Sequence, residues 1–237
     1  MTKIGAAMCS HLSDTVEDYL KTIYKLSDDQ GRVGTGQIAQ TLGVSPASVT
    51  DMVQRLAGED PPLLDYAKHK GVALTERGRL AALEIIRHHR LLELFLHEIL
   101  GYSWDQVHAE ADRLEHVISE EFEERVAEVL GNPQRGLHGE PIPSRSLEMP
   151  DNDTSFLLDM RPHQHGRIHE VNDDDPGLLR FLESQGIIPG VEFTILDYSP
   201  FDENLRLKLE GKSGEIVLGA SVTSQVLVEE ADPDPGR

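Results

Sequence analysis

Residues 35–56 read TGQIAQTLGVSPASVTDMVQRL, and their pattern predicts two short helices joined by a tight turn. We expect the first helix over about 35–42, because Gly43 tolerates the left-handed backbone that commonly ends a helix. Ser45 is a good N-cap for the second helix, and Pro46 suits its first turn, where a backbone N–H is not needed. The inner face of the second helix is apolar at helical spacing: Val49, Met52, Val53 and Leu56. Together these features predict a helix-turn-helix motif.

The outer face of the second helix carries small and hydrogen-bonding side chains, as a helix that enters the major groove of DNA requires. With Thr35 at the start of the first helix, they form the candidate DNA contacts: Ser45, Pro46, Ala47, Ser48, Thr50 and Gln54. Residues 63–75 predict two short strands around a basic tip, where Lys68 and Lys70 can meet phosphates. Two helices joined by a glycine, followed by ordinary surface lysines, are the alternative. The position of the basic tip directly after the motif favours a winged helix-turn-helix.

The segment HAEADRLEH at residues 108–116 concentrates side chains that can bind a metal ion. These side chains are His108, Asp112, Glu115 and His116. On a helix over about 105–118 they would share one face, within about 100° of arc. Carboxylates and imidazoles crowded on a half-buried face need a shared cation or a set of polar partners. A solvated acidic helix is the alternative for this segment taken alone.

A long helix is predicted from Thr75 to about Glu98, and it carries His89 and Glu93 one turn apart. Such a pair on its own is more often a solvated hydrogen bond than a metal site. Helical patterns then continue to about residue 130. The apolar residues of the last predicted helix could supply a dimer face.

The second half of the chain changes from helical patterns to strands. Residues 131–155 are rich in proline, glycine and small polar residues, and we interpret them as a linker. One short helix is predicted at 176–185, and regular glycine and proline punctuation between strands predicts a small β-barrel. The predicted strands are 167–171, 191–197, 206–210, 215–218 and 224–228. Residues 231–237 are expected to be a disordered tail.

The 237-residue chain has a net charge of −20, but the first third is nearly neutral. Residues 1–80 hold 9 Lys/Arg and 10 Asp/Glu (−1), 81–150 hold 6 and 14 (−8), and 151–237 hold 7 and 18 (−11). The whole-chain charge therefore does not exclude a DNA-binding face near the N-terminus. The single Cys9 excludes an intramolecular disulfide and fits a reducing compartment. Because no apolar run approaches the roughly 20 residues that cross a bilayer, and no signal peptide is evident, we expect a cytoplasmic protein without a membrane partner.

Five motifs in this order and spacing resemble the diphtheria-toxin-repressor family of metal-activated transcriptional repressors. They are DTVEDYLKTIYKL at 14–26, LGVSPASVTDMVQRL at 42–56, HHRLLELFL at 88–96, WDQVHAEADRLEHVISEE at 104–121 and LLRFLESQGIIPG at 178–190. The resemblance covers about 12–230 and implies an α+β protein that is not an enzyme. It implies a winged helix-turn-helix DNA-binding domain, a helical metal-binding and dimerisation domain, a linker, an SH3-like (FeoA-like) barrel and a disordered tail. The corresponding ranges are 1–78, 79–145, 146–155, 156–230 and 231–237.

The resemblance also implies two metal sites in each subunit. The primary, activating set would be Asp18, Asp112, Glu115 and His116. The ancillary set would be His89, Glu93 and His108, completed by Glu170 and Asp173 from the barrel. The implied partners are double-stranded operator DNA and a second copy of the chain, with no organic small-molecule substrate.

Departures from the iron-responsive members of the family bear on the choice of metal. Those members carry Met and Cys at the positions of Asp18 and Asp112, whereas this chain offers hard oxygen donors there. Oxygen donors suit Mn²⁺, so we predict a manganese-activated repressor of metal-uptake genes, with an iron-responsive repressor as the alternative. Lys21 stands where two-metal manganese repressors place a carboxylate, so we do not expect their paired-manganese site.

Two other functions are alternatives to this prediction. A metallohydrolase using the 108–116 cluster would need an open coordination position and a general base. The sequence has neither an HExxH motif nor a nucleophile elbow, and the helix-turn-helix would be unexplained. A repressor that senses an organic ligand would treat the carboxylates as plain acidic surface, which the combination of two ligand sets disfavours.

Overall fold

A computed structural model describes residues 12–27, 31–150, 153–172 and 175–231 of the chain. The described chain mixes helices with antiparallel sheets, which confirms the predicted fold class. It divides into two compact units. The first contains the chain up to His89 with Arg113–Arg125 and Pro143–Met149; the second contains Arg90–Asp112, Val126–Ile142 and the chain from Pro150 onward. The predicted ligand Asp173 and the single Cys9 lie outside the described residues.

The first unit contains the predicted helix-turn-helix. Helices α1 (Asp14–Leu26), α2 (Thr35–Leu42) and α3 (Pro46–Ala57) precede a hairpin of β1 (Leu64–Ala67) and β2 (Gly71–Leu74). The turn after α2 has Gly43 at φ 65°, and the Ser45 Oγ accepts a hydrogen bond from the Ser48 N–H at 3.1 Å. The turn glycine and the serine cap therefore end and start the helices as the sequence predicted.

The hairpin has the antiparallel register of a wing, with Leu64 opposite Leu74 and Ala67 opposite Gly71. A side chain at Gly71, whose φ is 89°, would place its Cβ 2.6 Å from the Val33 carbonyl oxygen. Val33 in turn donates its N–H to the Val72 carbonyl at 2.7 Å. The wing is thus joined to the segment before α2, and only glycine fits at the contact.

Three further helices follow the wing: α4 (Glu76–Glu98), α5 (Val107–Leu114) and α6 (Glu120–Val129). The predicted helix over 105–118 was wrong at its end, because α5 stops at Leu114 and Glu115 lies in a turn. In that turn the Val117 N–H bonds to the Leu114 carbonyl at 3.0 Å, and the Glu115 carbonyl faces His88 Nδ1 at 3.1 Å. Ser119 then caps the start of α6, with its Oγ accepting from the Phe122 N–H at 3.2 Å.

The second unit contains a six-stranded antiparallel sheet in the order β3-β8-β4-β5-β6-β7. Helix α7 (Pro176–Gln185) has the predicted bounds, whereas β3, a 3-10 turn at Leu157–Asp159 and α8 (Ala220–Thr223) were not predicted. Ala231, assigned to the tail by sequence, is the last residue of β8. The strands are β3 (Ser155–Phe156), β4 (His165–Val171), β5 (Glu192–Ser199), β6 (Asn204–Leu209), β7 (Ile216–Leu218) and β8 (Val226–Ala231). Alternate apolar residues of these strands form one core with Leu157, Leu179 and Leu182.

The interpretation of residues 131–155 as a linker was wrong for 138–142, which are buried. The His138 carbonyl accepts a hydrogen bond from the Val171 N–H at 2.9 Å, and the His138 ring packs 4.9 Å from Trp104. Proline-rich segments adopt extended backbones, which fit inside a packed unit as well as in solvent. Composition alone does not distinguish the two cases. Among the helices of the described ranges, none is both long and apolar enough to cross a membrane.

Candidate metal centre

Three predicted primary ligands meet in the first unit. Asp18 extends from α1, while Glu115 and His116 lie in the turn after α5, and one ligand atom from each lies within 4.8 Å of the others. His116 Nε2 is 3.2 Å from an Asp18 oxygen and 3.6 Å from a Glu115 oxygen. The Glu115 side chain is 1% exposed, whereas that of Asp18 is 48% exposed. The cluster therefore reaches from a buried carboxylate to the surface, and its oxygen-rich donor set suits a hard divalent cation.

Glu17, which is not among the predicted ligands, contacts the second nitrogen of the His116 ring. The His116 Nδ1 lies 2.7 Å from a Glu17 carboxylate oxygen, so Nδ1–H donates to Glu17 while Nε2 faces Asp18. Burial raises the pKa of Glu17, although the His116 imidazole opposes this effect. Burial would lower the pKa of His116, but the bond to Glu17 and the charges of Glu115 and Asp18 outweigh it and raise that pKa. A carboxylate behind a ligand histidine fixes its ring orientation. The only sequence signal for Glu17 was its place beside Asp18.

Lys21 provides the positive charge next to Glu115. Its Nζ lies 2.9 and 2.8 Å from the two Glu115 oxygens and 3.0 Å from the His89 Nδ1. The His89 Nδ1 also forms a short hydrogen bond with Glu115. Burial would raise the pKa of Glu115, but His89 and Lys21 outweigh it and the pKa is lowered. Glu115 is therefore an ionised carboxylate held by two cationic or hydrogen-bonding partners.

A second buried network holds the turn that carries Glu115. The His88 Nε2 lies 3.1 Å from a Glu123 oxygen, and the Arg87 Nε donates to the other Glu123 oxygen at 2.6 Å. Burial would lower the pKa of His88, but Glu123 and the Glu115 carbonyl outweigh it and raise that pKa. Helices α4 and α6 thus position the turn through charged hydrogen bonds.

Two predicted ancillary ligands meet in the second unit. The His108 Nδ1 lies 3.1 Å from a carboxylate oxygen of Glu93, whose side chain is fully buried. The His108 Nε2 is 3.5 Å from an oxygen of Asp112, which the sequence analysis had assigned to the primary set. Glu170 lies on β4 in the same unit, and His89 precedes Glu93 by one turn of α4. The division of these residues between two metal sites stays a prediction.

The predicted DNA-contacting residues lie on α2, α3 and the wing. Side chains at Ser45, Pro46, Ala47, Ser48 and Gln54 are exposed, as are Lys68 and Lys70, whereas Thr35 and Thr50 are partly buried. The Thr50 hydroxyl donates to the Pro46 carbonyl at 2.8 Å, so this hydroxyl already has a partner within the helix. The roles of these residues in DNA binding stay predictions.

Comparison with protein families divides the chain into three matched segments. Residues 11–72 match the iron dependent repressor N-terminal DNA binding domain, and residues 75–144 match the iron dependent repressor metal binding and dimerisation domain. Residues 157–230 match the FeoA domain.

Individual proteins are similar over most of the chain. The diphtheria toxin repressor of Corynebacterium diphtheriae is 39% identical over 219 residues, covering 87% of this chain and 93% of that protein. The iron-dependent repressor IdeR of Mycobacterium tuberculosis is 34% identical over 199 residues, covering 78% and 85%. Among solved structures, a manganese-dependent transcriptional repressor in complex with manganese is 33% identical with a TM-score of 0.84, covering 91% of this chain and 100% of that one. The structure of the manganese regulator SloR is 32% identical with a TM-score of 0.73, covering 91% and 98%.

Proposed function

The chain belongs to the diphtheria-toxin-repressor family of metal-dependent transcriptional repressors, and we propose that it is a manganese-activated member. In this proposal a homodimer binds double-stranded operator DNA and controls metal-ion uptake genes from the cytoplasm. Members of the family are DNA-binding regulators and not enzymes, so the metallohydrolase alternative is set aside.

The observation that carries the choice of manganese is the donor set of the cluster. Asp18, Glu115 and His116 offer two carboxylates and one imidazole within 4.8 Å of one another, with no sulfur atom. The proposal adds Asp112, a further carboxylate, to this set. The names of the similar proteins include both iron-dependent and manganese-dependent repressors, so those names do not choose the metal. Oxygen donors favour Mn²⁺, whereas a thiolate or thioether would help a site to retain softer ions.

We also propose a second, ancillary metal site in addition to the primary one. Its ligands would be His89, Glu93 and His108 with Glu170 and Asp173, which gives two metal ions in each subunit. The contact of Glu93 with His108 at 3.1 Å supports this set. We retain the predicted domains as part of the proposal, with the boundaries at 78/79 and 145/146 and the barrel over 156–230.

The mechanism follows from the elements that carry the primary ligands. Asp18 belongs to α1, which shares one apolar core with α2, α3 and the wing. Glu115 and His116 belong to the turn after α5, so two carboxylates from distant parts of the chain face each other across His116. Asp18, Glu115 and His116 would hold a divalent cation, whose positive charge would offset this repulsion. As a ligand, Asp18 would add a link between α1 and the turn to those made by Lys21 and Glu17, and this would fix the spacing of the two α3 helices of a dimer for successive major grooves.

A gel-shift experiment tests the proposal. The metal-stripped protein is titrated onto DNA from its own promoter and from nearby importer promoters with Mn²⁺, with anaerobic Fe²⁺, with Zn²⁺ or without metal. We expect binding with Mn²⁺ at a lower free concentration than with Fe²⁺, and reversal of binding by a chelator. Equal or better activation by Fe²⁺ would favour the iron-responsive alternative. Operator binding that persists in the presence of the chelator would overturn metal dependence and favour a repressor that senses an organic ligand.

A further inference from the structure

The Lys21 ammonium is bound to the carboxylate of Glu115, a residue of the candidate metal centre. It contacts both oxygens of that carboxylate, at 2.9 and 2.8 Å, in a bidentate arrangement. The contact is buried, since Lys21 is 8% exposed and Glu115 is 1% exposed. Because burial shields this contact from most of the solvent, the carboxylate depends on the lysine charge for much of its neutralisation.

The same Glu115 oxygen serves both the lysine and the candidate metal centre. Oε1 of Glu115 accepts the hydrogen bond from Lys21 at 2.9 Å and lies 3.6 Å from the His116 Nε2. A divalent cation bound between Glu115, His116 and Asp18 would therefore be separated from the Lys21 ammonium only by the Glu115 carboxylate. Two positive charges in a partly buried site repel strongly, so the ammonium must share the carboxylate or move.

We infer that Lys21 is a built-in cation that competes with the activating metal ion for Glu115 and so raises the metal concentration needed for repression. The inference rests on the proposed function, because it takes Glu115 as a ligand of the activating metal. In the metal-free protein the lysine binds both Glu115 oxygens and holds the turn against α1. In the metal-bound protein part of the binding free energy offsets the repulsion between the metal ion and the lysine.

The contact of Lys21 with His89 extends the effect to a second ligand. The ammonium lies 3.0 Å from the His89 Nδ1, and His89 is 2% exposed. His89 is a predicted ligand of the ancillary set, so the lysine contacts one residue of each predicted set. The competition is therefore expected to restrain metal binding by both Glu115 and His89.

Substitutions that separate charge from shape test the inference. K21M removes the positive charge and keeps an unbranched side chain, whereas K21R keeps a positive charge at the same position of α1. K21Q is neutral but still offers a hydrogen bond to Glu115, so it supplies the test if K21M does not fold. Mn²⁺ affinity is measured on the metal-stripped, full-length protein from the electron paramagnetic resonance signal of free Mn²⁺, and folding is followed by thermal unfolding.

We expect K21M or K21Q to bind Mn²⁺ about tenfold more tightly than the wild type, since one positive charge beside the ion has been removed. K21R should stay within about threefold of the wild type, because it retains that charge. The Mn²⁺ concentration for half-maximal operator binding should fall in parallel. Unchanged or weaker Mn²⁺ binding by the neutral variants would overturn the inference.

The D18A variant keeps this outcome distinct from a failure of the proposed function. If D18A binds Mn²⁺ as tightly as the wild type, the primary site is elsewhere and the proposed function of the cluster fails. If D18A loses one of the two Mn²⁺ ions while K21M and K21Q leave the affinity unchanged, only the role of Lys21 fails.

Discussion

The two groups of predicted ligands differ in the elements they join. In the first unit, Asp18 of α1 meets Glu115 and His116 of the turn after α5. In the second unit, Glu93 of α4 meets His108 of α5. Neither of these two helices carries a predicted DNA-contacting residue. Helix α1 packs along the helix-turn-helix core, whereas α4 reaches that core through Ala81 and Ala82, about three turns before Glu93. We expect the first group to control DNA binding and the second to support it.

The largest effect is expected from Asp18→Ala. The side chain is 48% exposed, so its removal should leave the fold and the dimer intact while the metal-dependent link between α1 and the turn is lost. We expect Mn²⁺-dependent operator binding to weaken by at least about 100-fold, because a direct ligand is removed. Fluorescence anisotropy on operator DNA measures the loss, and circular dichroism with size-exclusion chromatography provides the control. Normal manganese-dependent repression by this variant would refute the site.

A smaller effect is expected from Glu17→Ala. The His116 ring would lose its Nδ1 partner at 2.7 Å and the orientation that turns Nε2 toward Asp18. Mn²⁺ affinity should fall about tenfold, as is common when the partner of a ligand histidine is removed. Glu17→Gln keeps an acceptor for Nδ1–H, so its Mn²⁺ affinity in a calorimetric titration should lie between those of the wild type and Glu17→Ala. Equal affinities in all three proteins would show that Glu17 does not position His116.

His108→Ala separates the two ligand groups. It removes the partner of Glu93 in the second unit and leaves Asp18, Glu115 and His116 unchanged. We expect the Mn²⁺ stoichiometry to fall from two ions to one in each subunit, with operator affinity reduced by about tenfold at most. Elemental analysis after equilibrium dialysis gives the stoichiometry. A loss of operator binding as large as that of Asp18→Ala would mean that the two groups act as one site.

The smallest effect is expected from Glu170→Ala. This residue lies on β4 of the sheet in the second unit, and the proposal gives it a supporting place in the ancillary set. We expect operator binding within about threefold of the wild type, since an exchangeable ligand of a supporting site is removed. The same anisotropy titration measures it. A defect like that of Asp18→Ala would show that the barrel creates the active form instead of stabilising it.

Sequence patterns predicted the elements whose ends are set by local chemistry. Gly43, Ser45 and Pro46 define the turn and cap of the helix-turn-helix; the first helix has the expected bounds, and the second starts at Pro46 as expected. Helix α7 starts at Pro176 after an Asp175 cap and ends before Gly186, which adopts a left-handed φ of 75°. Such signals act within a few residues, so they can be read without the tertiary structure.

The features that the sequence did not predict depend on contacts between residues far apart in the chain. The helical pattern of 108–116 continues past Leu114, but the turn after α5 is fixed by His88 and by the cap at Ser119. The burial of His138 was not predicted, because its segment has the proline-rich composition of a linker. Lys21 and Glu17 were visible as residues of α1, but their partners lie 94 and 99 positions away along the chain. No local pattern identifies such pairs.

Manganese activation as proposed requires that one ion be held by Asp18, Glu115 and His116, with Asp112 as a fourth ligand. Anomalous X-ray diffraction at the manganese absorption edge, from crystals of the protein bound to Mn²⁺ and operator DNA, locates that ion directly. We predict an anomalous peak among the Asp18, Glu115 and His116 side chains, with the Lys21 ammonium displaced from the Glu115 oxygen that binds the ion. A peak confined to Glu93 and His108, with Asp18 turned to solvent, would contradict the account.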